Sequence, residues 1–267
     1  MGLSPYLPDG ISGSDRVWHN RDLLNRVGEL QGGRPRRFVV VGAGQSAAEV
    51  TAFLHESFPE SEVCAVFSRY GYSPADDSPF ANRVFDPNAV DEFYSAPEDV
   101  RAMVLGYHSN TNYSVVDSEL INDLYAKLYR EQVLNRQRLR FFNVSRVVDL
   151  TVSEDSATVT IESLSTGEKT RLDADVVVYC TGYRPADPAT LLGPLAEHCR
   201  RDPSGRVRIG RDHRVVTTPE VRAGIYLQGG GTEHSHGLSA SLLSTTAVRA
   251  GEILESLTRG VVLAAEN

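Results

Sequence analysis

The sequence predicts an α/β protein built on a Rossmann-like parallel sheet, and three observations carry that prediction. The apolar run Phe38-Val39-Val40-Val41 breaks into Gly42-Ala43-Gly44 and then into a helix from residue 46 to about 58. A second alternating apolar stretch, residues 62–69, follows that helix at the spacing of a Rossmann second strand. A later buried-strand pattern, Val176-Val177-Val178-Tyr179, ends in Cys180-Thr181-Gly182.

Residues 1–35 read as a connecting segment, punctuated by Pro5, Pro8, Gly10, Gly13, Gly33 and Pro35. A short strand at residues 16–18 and a short helix at residues 23–30 fit within it. In the first βα unit, Gly42 allows the tight turn and Gly44 allows a pyrophosphate to approach the backbone. The small Ala47 lets the helix lie close on the strand. Free N–H groups and the positive dipole end at the start of that helix suit phosphates.

The second strand ends in Ser68-Arg69, where an acid would suit the ribose of NAD. A guanidinium can donate two hydrogen bonds to a 2′-phosphate, so Arg69 favours NADPH. A plain surface arginine at a strand end is an equally good reading of the motif alone. Residues 71–117 are polar and rich in Pro and Asn, and read as a long irregular insertion inside the α/β domain. An amphipathic helix is expected over residues 117–135, with Leu120, Leu124, Leu128 and Val133 on its apolar face. Alternating strands fill residues 141–184. Residues 224–230 read as another apolar strand opening into glycines, and a C-terminal helix is expected from residue 238 to about 257.

Composition narrows the function classes. The formal net charge of −8 argues against nucleic acid or an anionic membrane as the main partner. No apolar run is long enough to span a bilayer. The start of the chain has no charged n-region or apolar h-region, and the three cysteines form no Cys-x-x-Cys. A cytoplasmic, reducing setting is expected. Glu233-His234-x-His236 has no third ligand nearby in sequence, so no metal site is expected. No Gly-x-Ser-x-Gly elbow points to a hydrolase.

Five motifs in fixed order then carry a resemblance. They are Gly42-Ala43-Gly44-Gln45-Ser46-Ala47-Ala48-Glu49, Asp76-Asp77-Ser78-Pro79-Phe80-Ala81-Asn82 and Thr111-Asn112-Tyr113-Ser114-Val115-Val116-Asp117, followed by Cys180-Thr181-Gly182-Tyr183 and His236-Gly237-Leu238-Ser239-Ala240-Ser241-Leu242-Leu243-Ser244. Together they resemble the L-ornithine N5-monooxygenase / L-lysine N6-hydroxylase family of flavin-dependent N-hydroxylating enzymes. Cys180 stands where that family commonly has Ala.

The resemblance implies a two-dinucleotide-binding flavoprotein. Residues 36–184 would form its NADPH-binding domain, with a substrate-contacting insertion at 71–117. Residues 185–267 would be the C-terminal part of an FAD/substrate domain. The Gly-rich FAD motif that opens family members is not in the sequence, so residues 1–35 resemble the passage out of a missing flavin segment. That segment, or a second chain carrying it, is an implied partner, and the intact enzyme is expected to be a homo-oligomer.

The implied reaction uses NADPH, FAD and molecular oxygen. It hydroxylates the side-chain amine of L-ornithine, or of L-lysine, through a C4a-hydroperoxyflavin, for siderophore or related hydroxamate biosynthesis. Asn82 and Asn112 match the family's amine- and substrate-holding asparagines, and Ser244 matches a serine at the substrate's amino-acid end. Gln45 and Ser46 match NADPH contacts beside Gly42 and Gly44, and Arg69 matches the 2′-phosphate arginine. Gly237, Leu238 and Ser239 match the stretch that passes the flavin. No catalytic side chain is assigned. A non-catalytic NADPH-binding module is the alternative, because the FAD motif is absent.

Overall fold

The computed structural model of the chain describes residues 3–30 and 33–265. The chain divides into two units. A sheet unit comprises Pro5–Ala75 and Asn112–Tyr183, and a second unit comprises Asp76–Thr111 and Arg184–Asn267 together with Met1–Ser4. Strands β1 (Leu3–Pro5) and β10 (Tyr183–Pro185) lie where the chain passes between them.

In the sheet unit the chain runs β2 (Val17–His19), α1 (Leu23–Arg26), β3 (Arg37–Val41), α2 (Gln45–Ser57), β4 (Glu62–Val66). After Asn112 come α5 (Ser118–Val133), β5 (Leu139–Phe142), β6 (Ser145–Val152), β7 (Ala157–Ser163), β8 (Lys169–Ala174) and β9 (Val176–Tyr179). Five strands form one parallel sheet in the order β2-β9-β3-β4-β5. Strands buried on both faces need no alternation, and the continuous apolar runs of β3 and β9 follow that rule.

One face of this sheet packs on α2 and α5 through Phe38, Val40, Ala47, Leu54, Leu124 and Val178. The other face meets the antiparallel sheet β6-β7-β8. There the two-residue period of β7 turns Ala157, Val159 and Ile161 into the core. Ala47 has no exposed surface, so the helix lies directly on β3 as its size predicts.

Four expectations are corrected. The short strand expected at residues 16–18 is present one residue along, and it makes its segment more than a connection: Val17, Trp18 and His19 are buried and pair with Val177, Val178 and Tyr179 as the edge strand of the sheet. The residue pattern pointed to the strand but not to its place in the sheet, because the pairing partner lies some 160 residues away. In the α5 stripe Leu124 is buried while Val133 is 67 % exposed, because at helical spacing Val133 falls on the opposite face and Glu131, not Val133, continues the buried side in the last turn. The insertion is not irregular. Its residues carry a 3-10 turn (Ala81–Phe85), α3 (Ala89–Ser95) and α4 (Glu98–His108), and residues 76–111 belong to the second unit.

The last correction concerns the rest of the second unit. Residues 224–230 form no regular strand; Tyr226 makes an isolated bridge to Arg214. The C-terminal helix is broken. After α6 (Glu233–His236) and a 3-10 turn (Leu238–Ser241), α7 runs Thr246–Ala265. The break is held by Arg249, whose guanidinium donates to the carbonyls of Ser239 and Leu242 that a continuous helix would have used internally. A small core of Cys199, Val207, Ile209 and Val215 completes this unit. No helix among the described residues is long and apolar enough to cross a membrane.

Candidate cofactor and substrate sites

The sheet unit carries the dinucleotide turn. β3 hands over to α2 through Gly42, whose φ of 144° is a conformation that residues with a Cβ rarely adopt. A Cβ there would stand 2.5 Å from the Cys180 carbonyl oxygen. The turn therefore presses against the end of β9, where the Cys180 N–H donates to the Val41 carbonyl. Gly44 is the N-cap of α2 and offers no side chain to its first N–H groups, and that first turn carries no acid. A 13-residue helix with an uncapped, acid-free N-terminus at the C-terminal ends of parallel strands fits a pyrophosphate.

Ser46 is exposed in that first turn. Gln45 is engaged with Asp117 and Glu49. Arg69 lies three residues past the end of β4, exposed, and donates from Nη1 to the Ser114 carbonyl at 2.7 Å. A guanidinium has further donors for a phosphate. The structure thus gathers Gly44, Gln45 and Arg69 around residues 114–117, beside exposed Asn112.

The other predicted residues belong to the second unit. Asn82 is exposed and donates from Nδ2 to the Asp77 carbonyl at 3.0 Å, while its own N–H reaches the Ser78 carbonyl. The nitrogen is the engaged end; the amide oxygen is the end suited to receive an amine N–H. A cavity of about 560 Å³ is lined by Phe80, Val84, Phe93, Val104, Gly237 and Leu238, among others. Gly237 has φ 73°, and a Cβ there would come to 3.3 Å of the Phe93 ring. Leu238 and Ser239 are buried, and the Ser239 hydroxyl faces the His236 carbonyl. Ser244 is exposed in the break before α7. Asn82 and Ser244 share this unit, whereas Asn112 and the dinucleotide turn share the other.

One cluster has no signal in the sequence. His213 and His236 stack at 4.2 Å, and His213 Nε2 lies 2.9 Å from Glu252 Oε2. Burial, reinforced by His213, pushes His236 down to about 4. Burial also lowers His213. Burial pushes the Glu252 carboxyl up, but hydrogen bonds from Arg211 and His213 outweigh it and hold the group below its usual range. The partners stand 23 and 39 residues from His213, beyond the reach of any local pattern.

With this geometry in view, comparison with known proteins is decisive for the family. The model of the L-lysine 6-monooxygenase/L-ornithine 5-monooxygenase family matches residues 1–185. The chain belongs to that family. The L-ornithine N(5)-monooxygenase of Pseudomonas aeruginosa is 36% identical over 261 residues, covering 96% of this chain and 58% of its own length. Among solved structures, the ornithine N-hydroxylase of Kutzneria sp. 744, in complex with reduced FAD, NADP+ and L-ornithine, is 48% identical with a TM-score of 0.92. That match covers 97% of this chain and 62% of the other. The L-lysine 6-monooxygenase of Pseudomonas syringae superposes with a TM-score of 0.84 at 30% identity, with coverage of 97% and 62%. The chain spans about half the length of the curated relatives it matches. The resemblance carried by the five motifs and the Rossmann-like fold expected from the first βα unit both hold.

Proposed function

We propose that this chain is the NADPH- and amino-acid-binding part of a flavin-dependent monooxygenase that N-hydroxylates the side-chain amine of L-ornithine in hydroxamate biosynthesis. The observation that carries the reading is the acid-free, glycine-capped start of α2 in a chain of this family. When bound, NADPH would supply the reducing equivalents and FAD would use them to activate molecular oxygen, the source of the transferred oxygen atom. The chain's own residues bind and orient. The first turn of α2, Ser46 included, holds the pyrophosphate, and Arg69 holds the 2′-phosphate. Gly237, Leu238 and Ser239 line the side toward the flavin.

The amine must arrive without its extra proton, because a free alkylammonium has a pKa of about 10.4 and no lone pair to react with. Asn82 and Asn112 meet that need. Their amide oxygens accept hydrogen bonds from a neutral amine and bring no negative charge that would favour the ammonium. Ser244 holds the amino-acid end. L-Ornithine is favoured over L-lysine because the Kutzneria ornithine enzyme is 48% identical and the lysine enzyme 30%. One methylene is worth only about 1–3 kcal/mol of discrimination, so both amino acids belong in the test.

A second reading, a dinucleotide-binding module without oxygenase activity, is favoured by the span of about half the relatives' length. The deciding experiment measures flavin absorbance of the purified protein, amine-dependent NADPH oxidation and hydroxylamine product. Colourless protein that binds NADPH and oxidises none of it supports the module. If the enzyme reading holds, Asn82→Ala and Asn112→Ala each weaken amino-acid binding about tenfold or more with far less effect on NADPH. Equal loss of both ligands overturns the assigned roles.

A further inference from the structure

Gln45 opens α2 beside the dinucleotide turn, which makes a cofactor contact the natural assignment for it. Its side chain is engaged elsewhere. Oε1 accepts from the Asp117 N–H at 2.8 Å, and Nε2 donates to Asp117 Oδ2 at 2.8 Å and to Glu49 Oε1 at 3.0 Å. A primary amide is the neutral side chain that can serve a backbone donor and a carboxylate acceptor of one residue together. Asp117 is the N-cap of α5, yet its carboxylate makes no capping bond to that helix. Asp is a favoured N-cap because its oxygen satisfies the helix's free N–H groups. Here that oxygen meets Gln45 instead.

Two further contacts converge on the same stretch. Ser114 sits in the left-handed region at φ 57°, which costs a residue with a Cβ about 1 kcal/mol or more unless its surroundings hold it. Its carbonyl accepts from Arg69. On the bare side of Gly44, a Cβ would stand 3.4 Å from Ser114 Cα. Past Ser114 the chain is fixed: the Val116 N–H donates to the Ser73 carbonyl and the Ala75 N–H to the Val116 carbonyl.

We propose that Gln45 is a positioning residue for the Asn112-bearing segment, residues 112–117, rather than a ligand of the dinucleotide through its side chain. The contact stands on its own geometry; its consequence for amino-acid binding rests on the role of Asn112 proposed above. The segment is seated on the turn through Gly44, Gln45 and Arg69, and Gln45 supplies the pair of bonds that sets where α5 begins.

The test compares wild type with Gln45→Leu, which removes both bonds to Asp117 at similar volume. Asp117→Ala releases the same tether from the other side, and Asp117→Asn retains an acceptor for Nε2. Hydrogen exchange over residues 112–117 is measured together with titrations of NADPH and L-ornithine. Gln45→Leu and Asp117→Ala should each speed exchange of these amides about tenfold, with Asp117→Asn staying near wild type. In Gln45→Leu, L-ornithine affinity should fall about tenfold while NADPH affinity falls less than threefold. Unchanged exchange in both Gln45→Leu and Asp117→Ala, or NADPH affinity falling as far as that of L-ornithine, overturns the proposal. Wild type that binds NADPH but no L-ornithine refutes the amine-holding role of Asn112, and the exchange comparison then still decides the role of Gln45.

Discussion

Gly42 and Gly44 stand two residues apart in one motif, and the structure gives them different work. Replacing Gly42 with Ala forces a Cβ onto a backbone at φ 144° and to within 2.5 Å of the Cys180 carbonyl oxygen. The obstacle is backbone at the end of β9, not the far end of a flexible side chain. Backbone strain of about 1–3 kcal/mol and overpacking of similar size add to a loss of about 2–6 kcal/mol. Gly44 has an ordinary φ of −97°, and its Cβ would meet Ser114 Cα at 3.4 Å, a normal contact. Gly44→Ala should therefore change stability by no more than about 1 kcal/mol. Urea unfolding followed by tryptophan fluorescence is the natural assay. The single tryptophan, Trp18, is 1 % exposed in β2, so the signal reports the sheet unit. The Gly42→Ala midpoint should fall by about 1–2 M relative to wild type. If Gly44→Ala loses as much stability as Gly42→Ala, the separation of roles is wrong.

Three other outcomes follow from the geometry. His236 is depressed to about 4 from an ordinary 6.5, so the unfolded chain binds the extra proton first. This stability is fully present above about pH 6.5 and is lost as pH falls toward 4. Near pH 5 the loss from His236 alone is about 2 kcal/mol; hydrogen exchange of α7 at pH 7.5 and pH 5 should show it, and His236→Gln should flatten the dependence. Glu131→Ala removes a carboxylate that accepts from the Arg138 and Leu139 N–H groups and contacts His55 Nε2, each at 2.7 Å. Leaving those buried groups unpaired should cost about 2–4 kcal/mol in the tryptophan-monitored unfolding, with Glu131→Gln costing less. Arg69→Ala should weaken NADPH more than NADH by about tenfold in fluorescence titrations, and an unchanged preference removes Arg69 from the 2′-phosphate.

What could be read in advance followed from interactions near in sequence. A strand, a glycine turn and a helix of small residues leave their mark within twenty positions, and Phe38, Gly42 and Ala47 each do what their side chains dictate. The ordered motifs also made the family legible. The short strand at residues 17–19 was legible to within one residue, but its place at the edge of the sheet was not, because its partner β9 lies some 160 residues away. The helices of residues 76–111 were hidden for a different reason. Pro79, Pro87 and Pro97 interrupt them into pieces too short for a clean apolar stripe.

Sequence alone determined that this chain makes a Rossmann-like turn, which side chains accompany it and which family it joins, since those depend on local conformational preference and residue identity. Tertiary structure decided what those side chains touch. Gln45 and Arg69 meet the segment at 114–117, Gly42 abuts Cys180, and His236 stacks on His213. Hydrogen bonds and close packing act over a few ångströms of space, and only the folded backbone brings residues that are tens of positions apart within that reach.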